Sequence, residues 1–188
     1  MVRVNLRNAE ELLPKLPLGD EPRIGRAGLV RAVDRLRAST CTADVITGPL
    51  VPLSEALQWI HACHEWLRNH GPDPASYTAI SQNWDDAEAR TVDGVLCARG
   101  RLAHQLALGG VVLCVGAAGT YAAGLYAAGM GGVEWRWRPT LPPDNRPGVR
   151  DSNWNRRREA HYADHVARRP LLDPVDDAAA VLLRHLPT

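Results

Sequence analysis

A chain of 188 residues, 45% hydrophobic and 23% charged, can bury a core of its own and is too apolar for an intrinsically disordered protein. A formal net charge of +1 excludes a global field that would draw it to nucleic acid or to an anionic membrane. Lys15 is the only lysine among 22 basic residues, so nearly every cation is a planar guanidinium suited to bidentate contacts.

Residues 1–22 carry Pro14, Pro17, Gly19 and Pro22 and read as an extended or turn-rich arm without a signal-peptide core. Residues 23–188 read as one helical domain. The first predicted helix runs from Arg23 to Ala38, with Ile24, Ala27, Val30, Val33 and Leu36 as its apolar positions. Gly48, Pro49 and Pro52 break the chain, and Ser54 opens a second helix with Glu55 in its first turn. Leu53, Leu57, Ile60, His64 and Leu67 form one row of it, and Trp59, Cys63 and Trp66 a second; so wide an apolar surface suits a central helix. Gly71 and Pro72 end it. A third helix is expected from about Gln82 to about Leu108.

A Gly- and Pro-rich insertion over 109–150 follows. Leu106 to Met130 is 25 residues without a formal charge, long enough to span a bilayer, and its glycines are spaced like those that pack membrane helices. Six glycines, however, weaken a helix, so a short strand followed by a Gly-hinged helix is the favoured reading and a membrane anchor the lesser one. Val133 to Arg138 alternates tryptophan with charge, as a strand does. Ser152 caps a fourth predicted helix reaching about Arg168. Asp173-Pro174, with Asp176 and Asp177 behind it, starts a last helix ending near Leu186. The expected fold is therefore all-α, a bundle of four to five helices with a small β-like or irregular insertion. Cys41, Cys63, Cys97 and Cys114 form no CxxC pair, which suits a reducing, cytoplasmic setting.

The stretch Ala98-Arg99-Gly100-Arg101-Leu102-Ala103-His104-Gln105 holds an Arg and a His with four residues between them on a predicted helix. It resembles the R-x4-6-H motif of the HEPN family (higher eukaryote and prokaryote nucleotide-binding), small helical bundles rich in RNases of toxin and phage-defence systems. The run Tyr162 to Pro170, after the Trp135–Trp137 strand, resembles the C-terminal part of actinobacterial HEPN-like proteins. The likeness covers about residues 50 to 186. It implies a HEPN-like bundle acting as a metal-independent endoribonuclease with no cofactor, Arg99 and His104 as its catalytic pair at a homodimer interface, RNA as substrate and an antitoxin as partner. Gly100 stands where family members often carry Asn, Asp or His.

The residue types fit that chemistry on their own. Cleaving RNA without a metal requires a group that takes a proton from the 2′-hydroxyl and one that protonates the leaving oxygen, and histidine does either near neutral pH. A guanidinium stabilises the extra negative charge of the transition state. Positions five apart on a straight helix point about 140° from each other. Arg99 and His104 therefore converge on one phosphate only if Gly100 distorts the helix or two chains pool their residues across a two-fold axis. The competing reading is a catalytically silent binding or structural module. In it Arg99 pairs with Asp86, Glu88 or Asp93, and His104 complements the helix dipole.

Arg101, Arg136, Arg138, Trp154, Arg156 and Arg157, with Arg158 beside them, concentrate guanidinium and indole groups and are the expected RNA-holding residues, or else a solvated face. His161 and His165, four apart, and His61 and His64, three apart, have metal-compatible spacing. No HExxH pattern accompanies them and no metal is expected.

Overall fold

The computed structural model describes residues 20–40, 48–75, 77, 86–105, 112–116, 133–142 and 153–188. Among these the chain forms α1 (Glu21–Ser39), α2 (Leu50–His70), α3 (Ala87–Gln105), β1 (Val112–Gly116), β2 (Val133–Trp137), α4 (Asn153–His165) and α5 (Leu172–His185). This is an all-α bundle carrying a two-stranded antiparallel ribbon.

The helix starts show how proline is used. In α1 Pro22 is the second helical residue and is buried, so it belongs to the helix and not to the expected arm, whose residues 1–19 lie outside the described ones. In α2 the helix begins at Leu50, four residues before Ser54, with Pro49 as its cap. Pro52 is the third helical residue, and the first backbone bond of the helix runs from the Leu53 N–H to the Pro49 carbonyl at 2.7 Å. A proline there forfeits nothing, because the first turn has no intrahelical acceptor for its N–H groups. Pro174 occupies the same third position in α5. At α3 the Asp86 carboxylate accepts the Glu88 N–H at 2.8 Å, the bond of an N-cap, and fixes a start five residues after the expected Gln82.

Burial corrects the row expected on α1. Of that row Val33 and Leu36 are buried, together with Pro22, Leu29 and Ala32, whereas Ile24 and Val30 are 37% and 41% exposed. A strict spacing of three lags the helical repeat by about 60° per step, so that row winds off the buried face. The row expected on α2 is buried throughout, from Leu53 to Leu67. Helix α2 packs against α1, α3 and α5, and α3 is central too, with Thr91 to Ala98 buried without a break. Helices α2, α4 and α5 pack around it. Gly94 is where α4 comes closest. A Cβ there would meet Val166 Cγ2 at 2.9 Å and the His161 carbonyl and Tyr162 Cα at 3.1 Å.

The insertion is only partly described. Within 106–130 residues 112–116 form a strand, paired so that Cys114 faces Trp135 and Val112 faces Trp137; the Gly-hinged helix expected behind it lies outside the described residues. No described helix is long and apolar enough to cross a membrane. The free edge of β2 is covered by the chain leaving α4. There the Arg168 N–H donates to the Trp137 carbonyl at 3.0 Å and the Leu171 N–H to the Trp135 carbonyl at 2.8 Å. Arg168, at φ 66°, makes the turn that brings this segment alongside. Trp137 is fully buried and its indole N–H donates to the Leu171 carbonyl at 3.0 Å, so the ribbon is anchored to the start of α5.

Candidate functional site: the Arg99 face of the central helix

Helix α3 runs unbroken from Ala87 to Gln105, through Gly100. Nothing stands within 4 Å of a Cβ built at Gly100, so this glycine makes no close approach. The helical spacing of Arg99 and His104 is thus that of a regular helix, about 140° apart. The two do not converge by a break at Gly100. The His104 side chain lies outside the described part of the structure.

Arg99 is half-buried and donates from Nη2 to Oε1 of Gln58 on α2 at 2.9 Å. Its Nε is enclosed and has no acceptor among the described residues. Burial lowers the guanidinium's pKa, with the Glu65 carboxylate acting the other way. None of the three carboxylates expected to pair with it does so. Asp86 caps the helix, Glu88 pairs with Arg184, and Asp93 holds Arg158 Nε at 2.8 Å and His161 Nδ1 at 2.9 Å. Among the described residues Arg99 makes no ion pair, so its charge is held by a neutral amide.

The hydrogen bond to Gln58 turns Arg99 towards the α2 face that carries His61, one turn on, and Glu65, two turns on. His61 is half-buried, and its pKa is lowered by burial first and then by the charges of Arg99 and Arg158, with Glu65 opposing them. The imidazole is therefore neutral at pH 7. The Glu65 carboxylate is drawn along its own helix, 3.7 Å from Arg68 Nη1 and 3.5 Å from Asn69 Nδ2. His61 stood out in the sequence only for its spacing from His64, and the α2–α3 packing is what makes it a neighbour of Arg99.

The expected RNA-holding residues divide. Arg101 is buried and paired with Glu159, so it is part of the α3–α4 seam and is no exposed surface. Arg136 is half-buried on β2, bonded through Nε to Glu134 at 2.8 Å and through Nη1 to the Arg168 carbonyl at 2.8 Å. Arg138 is exposed just after β2, and its carbonyl accepts the Tyr162 hydroxyl of α4 at 2.7 Å. Arg156 and Arg157 are exposed on α4, Arg156 bonded to Asn153 at 2.6 Å, whereas Arg158 turns inward to Asp93. Consecutive helical residues diverge by about 100°, which separates the three arginines. The Trp154 side chain lies outside the described residues.

The paired histidines do not assemble a metal site. His64 is buried, with Nδ1 2.9 Å from the Tyr77 hydroxyl, and burial takes its pKa down to about 4, while His61 faces Arg99. His161 is bonded to Asp93, a turn before His165 at the end of α4. Among the described residues no group of three or more His, Cys, Asp or Glu is placed to hold a metal. Cys63 and Cys97 are buried free thiols whose pKa burial raises to about 11, so neither is an activated nucleophile. No protein-family model matches the chain, and no curated protein or solved structure is significantly similar to it.

Proposed function

We propose that this chain is a HEPN-type, metal-independent endoribonuclease of a toxin or phage-defence system, working in the cytoplasm as a homodimer. The observation that carries the reading is Arg99: a half-buried guanidinium, on the central helix of an all-α bundle, held by the neutral Gln58 with one N–H unmatched. A structural arginine in that setting is ordinarily matched by a carboxylate. One left with donors to spare suits a phosphate whose charge grows in the transition state.

In this reading Arg99 clamps the scissile phosphate and His104, one and a half turns along the same helix, handles the proton. Because positions five apart diverge on a continuous helix, this reading draws the arginine and the histidine of each site from two chains related by a two-fold axis. In the same reading Arg136 of β2, Arg138 just after it, and Arg156 and Arg157 of α4 hold the RNA. An antitoxin partner follows from the same family likeness.

The competing reading is a silent module in which the Arg99–Gln58 bond only ties α2 to α3. Incubation of purified protein with a mixed RNA pool in EDTA separates the two. The nuclease shortens the RNA, and Arg99→Ala and His104→Ala each lower the rate by about a thousandfold or more, the scale of losing a transition-state donor or a proton-transfer group. Intact RNA, or equal cutting by both variants, overturns the proposal.

A further inference from the structure

Among the described residues four clusters of polar groups stand inside this bundle. Asp93 is bonded to Arg158 and to His161 between α3 and α4, and Arg101 is paired with Glu159 through Nη2. His64 and Tyr77 form a closed, buried pair. Around Arg99 the matching is incomplete. The Arg99 Nε has no acceptor, and no hydrogen bond engages the half-buried His61 imidazole among the described residues. Arg158 adds a further positive charge to this corner, while Glu65 is directed along α2 to Arg68 and Asn69. The Glu65 carboxylate acts on both Arg99 and His61, and the Arg99 Nε beside it still has no acceptor among the described residues.

We infer that Arg99 and His61 of a single chain form a phosphodiester-binding site, Gln58 positioning the guanidinium and the imidazole donating from one turn further along α2. The geometry is that of the Gln58–Arg99 bond at 2.9 Å and of the three-residue step from Gln58 to His61, which sets both side chains on one helix face. The inference rests on the proposed nuclease reading and deepens it. It supplies the site's second substrate-facing imidazole from the same chain as the arginine, whereas His104 comes from the other.

The free imidazole is neutral, and a bound phosphodiester favours its protonated form. Binding then takes up a proton and tightens as pH falls. The charged or titratable groups bearing on His61 are Arg99 of α3, Arg158 of α4, and Glu65 and His64 of its own helix.

The test uses the full chain and dithymidine monophosphate, a phosphodiester that lacks a 2′-hydroxyl, is not cleaved, and keeps a single charge across the pH range. Calorimetry should show affinity rising about three- to tenfold from about pH 8 to about pH 6, with proton uptake. Arg99→Ala should weaken binding about tenfold or more at both pH values. His61→Gln should bind more weakly than the wild type at both pH values and lack the gain at about pH 6. On the wild-type chain, NMR should show the His61 ring resonances moving towards the protonated position when ligand is added, independently of how the variants fold. Binding that is insensitive to His61→Gln, or His61 resonances that stay put, overturns the inference even if RNA is cut. Tight, His61-dependent binding by a chain that leaves RNA intact keeps this site and removes the nuclease.

Discussion

His64 shows what one buried side chain does to the molecule's response to acid. Its Nδ1 lies 2.9 Å from the Tyr77 hydroxyl, and both residues are almost fully enclosed. Burial holds the phenol's pKa well above its usual value, so Tyr77 keeps its proton and donates, and the neutral imidazole accepts. The imidazole's pKa falls from 6.5 to about 4 in the fold. A histidine lowered in this way is indifferent to pH above the unfolded value. Below it the unfolded chain takes up the proton and the folded one does not, so stability is lost as pH falls towards the folded value. Urea unfolding should thus lose about 3 kcal/mol between about pH 7 and about pH 4 through this residue. His61 and His165, both lowered mainly by burial, add to the loss. His64→Gln is expected to flatten most of that slope whatever it does to stability at pH 7. An unchanged slope in the variant would show that the imidazole takes up its proton equally readily in the folded and unfolded chains.

At the scale of elements, glycines report where helices touch. A Cβ at Gly94 meets the backbone of α4 at 3.1 Å, and one at Gly28 meets the Trp59 ring of α2 at 2.4 Å. A Cβ at Gly100 meets nothing. Gly94→Ala should cost about 1–3 kcal/mol, because the facing atoms belong to a helix backbone and must shift as a unit. Gly28→Ala should cost a similar amount, roughly 1–3 kcal/mol, by displacing the Trp59 ring from the α1–α2 seam. Gly100→Ala should stabilise α3 by about 0.5–1 kcal/mol, the ordinary gain of alanine over glycine inside a helix. Denaturant midpoints for the three variants decide it. A destabilising Gly100→Ala would mean that α3 bends or opposes another surface at that point.

For the whole molecule the decisive question is whether two chains pool their residues. If Arg99 of one chain works with His104 of the other, equimolar mixing of Arg99→Ala and His104→Ala protein gives half heterodimers, each with one intact site and one empty one. RNA cleavage should return to about a quarter of the wild-type rate after subunit exchange, from two nearly inactive preparations. No recovery on mixing, with exchange verified by light scattering or labelled subunits, would place catalysis within one chain and leave His61 as the imidazole that serves Arg99.

The all-α class, the helix order and most helix ends were readable from the sequence, because apolar periodicity and proline act locally. The buried row of α2 and the place of Pro174 follow from residues within one or two turns of each other. The same locality misled part of the reading of α1, where Ile24 and Val30 of a row spaced by three lie off the buried face, and it did not show that α3 shares the central place with α2. Partners distant in sequence were decided by packing alone: Arg99 with Gln58, Arg101 with Glu159, and Asp93 with Arg158 and His161. Every carboxylate near Arg99 in sequence found another partner, since a helix turns each successive side chain through about 100° and hands it to a different neighbour. Sequence thus determined that an arginine and a histidine share one helix, and tertiary structure decided that the arginine faces α2, a neutral amide and a second histidine.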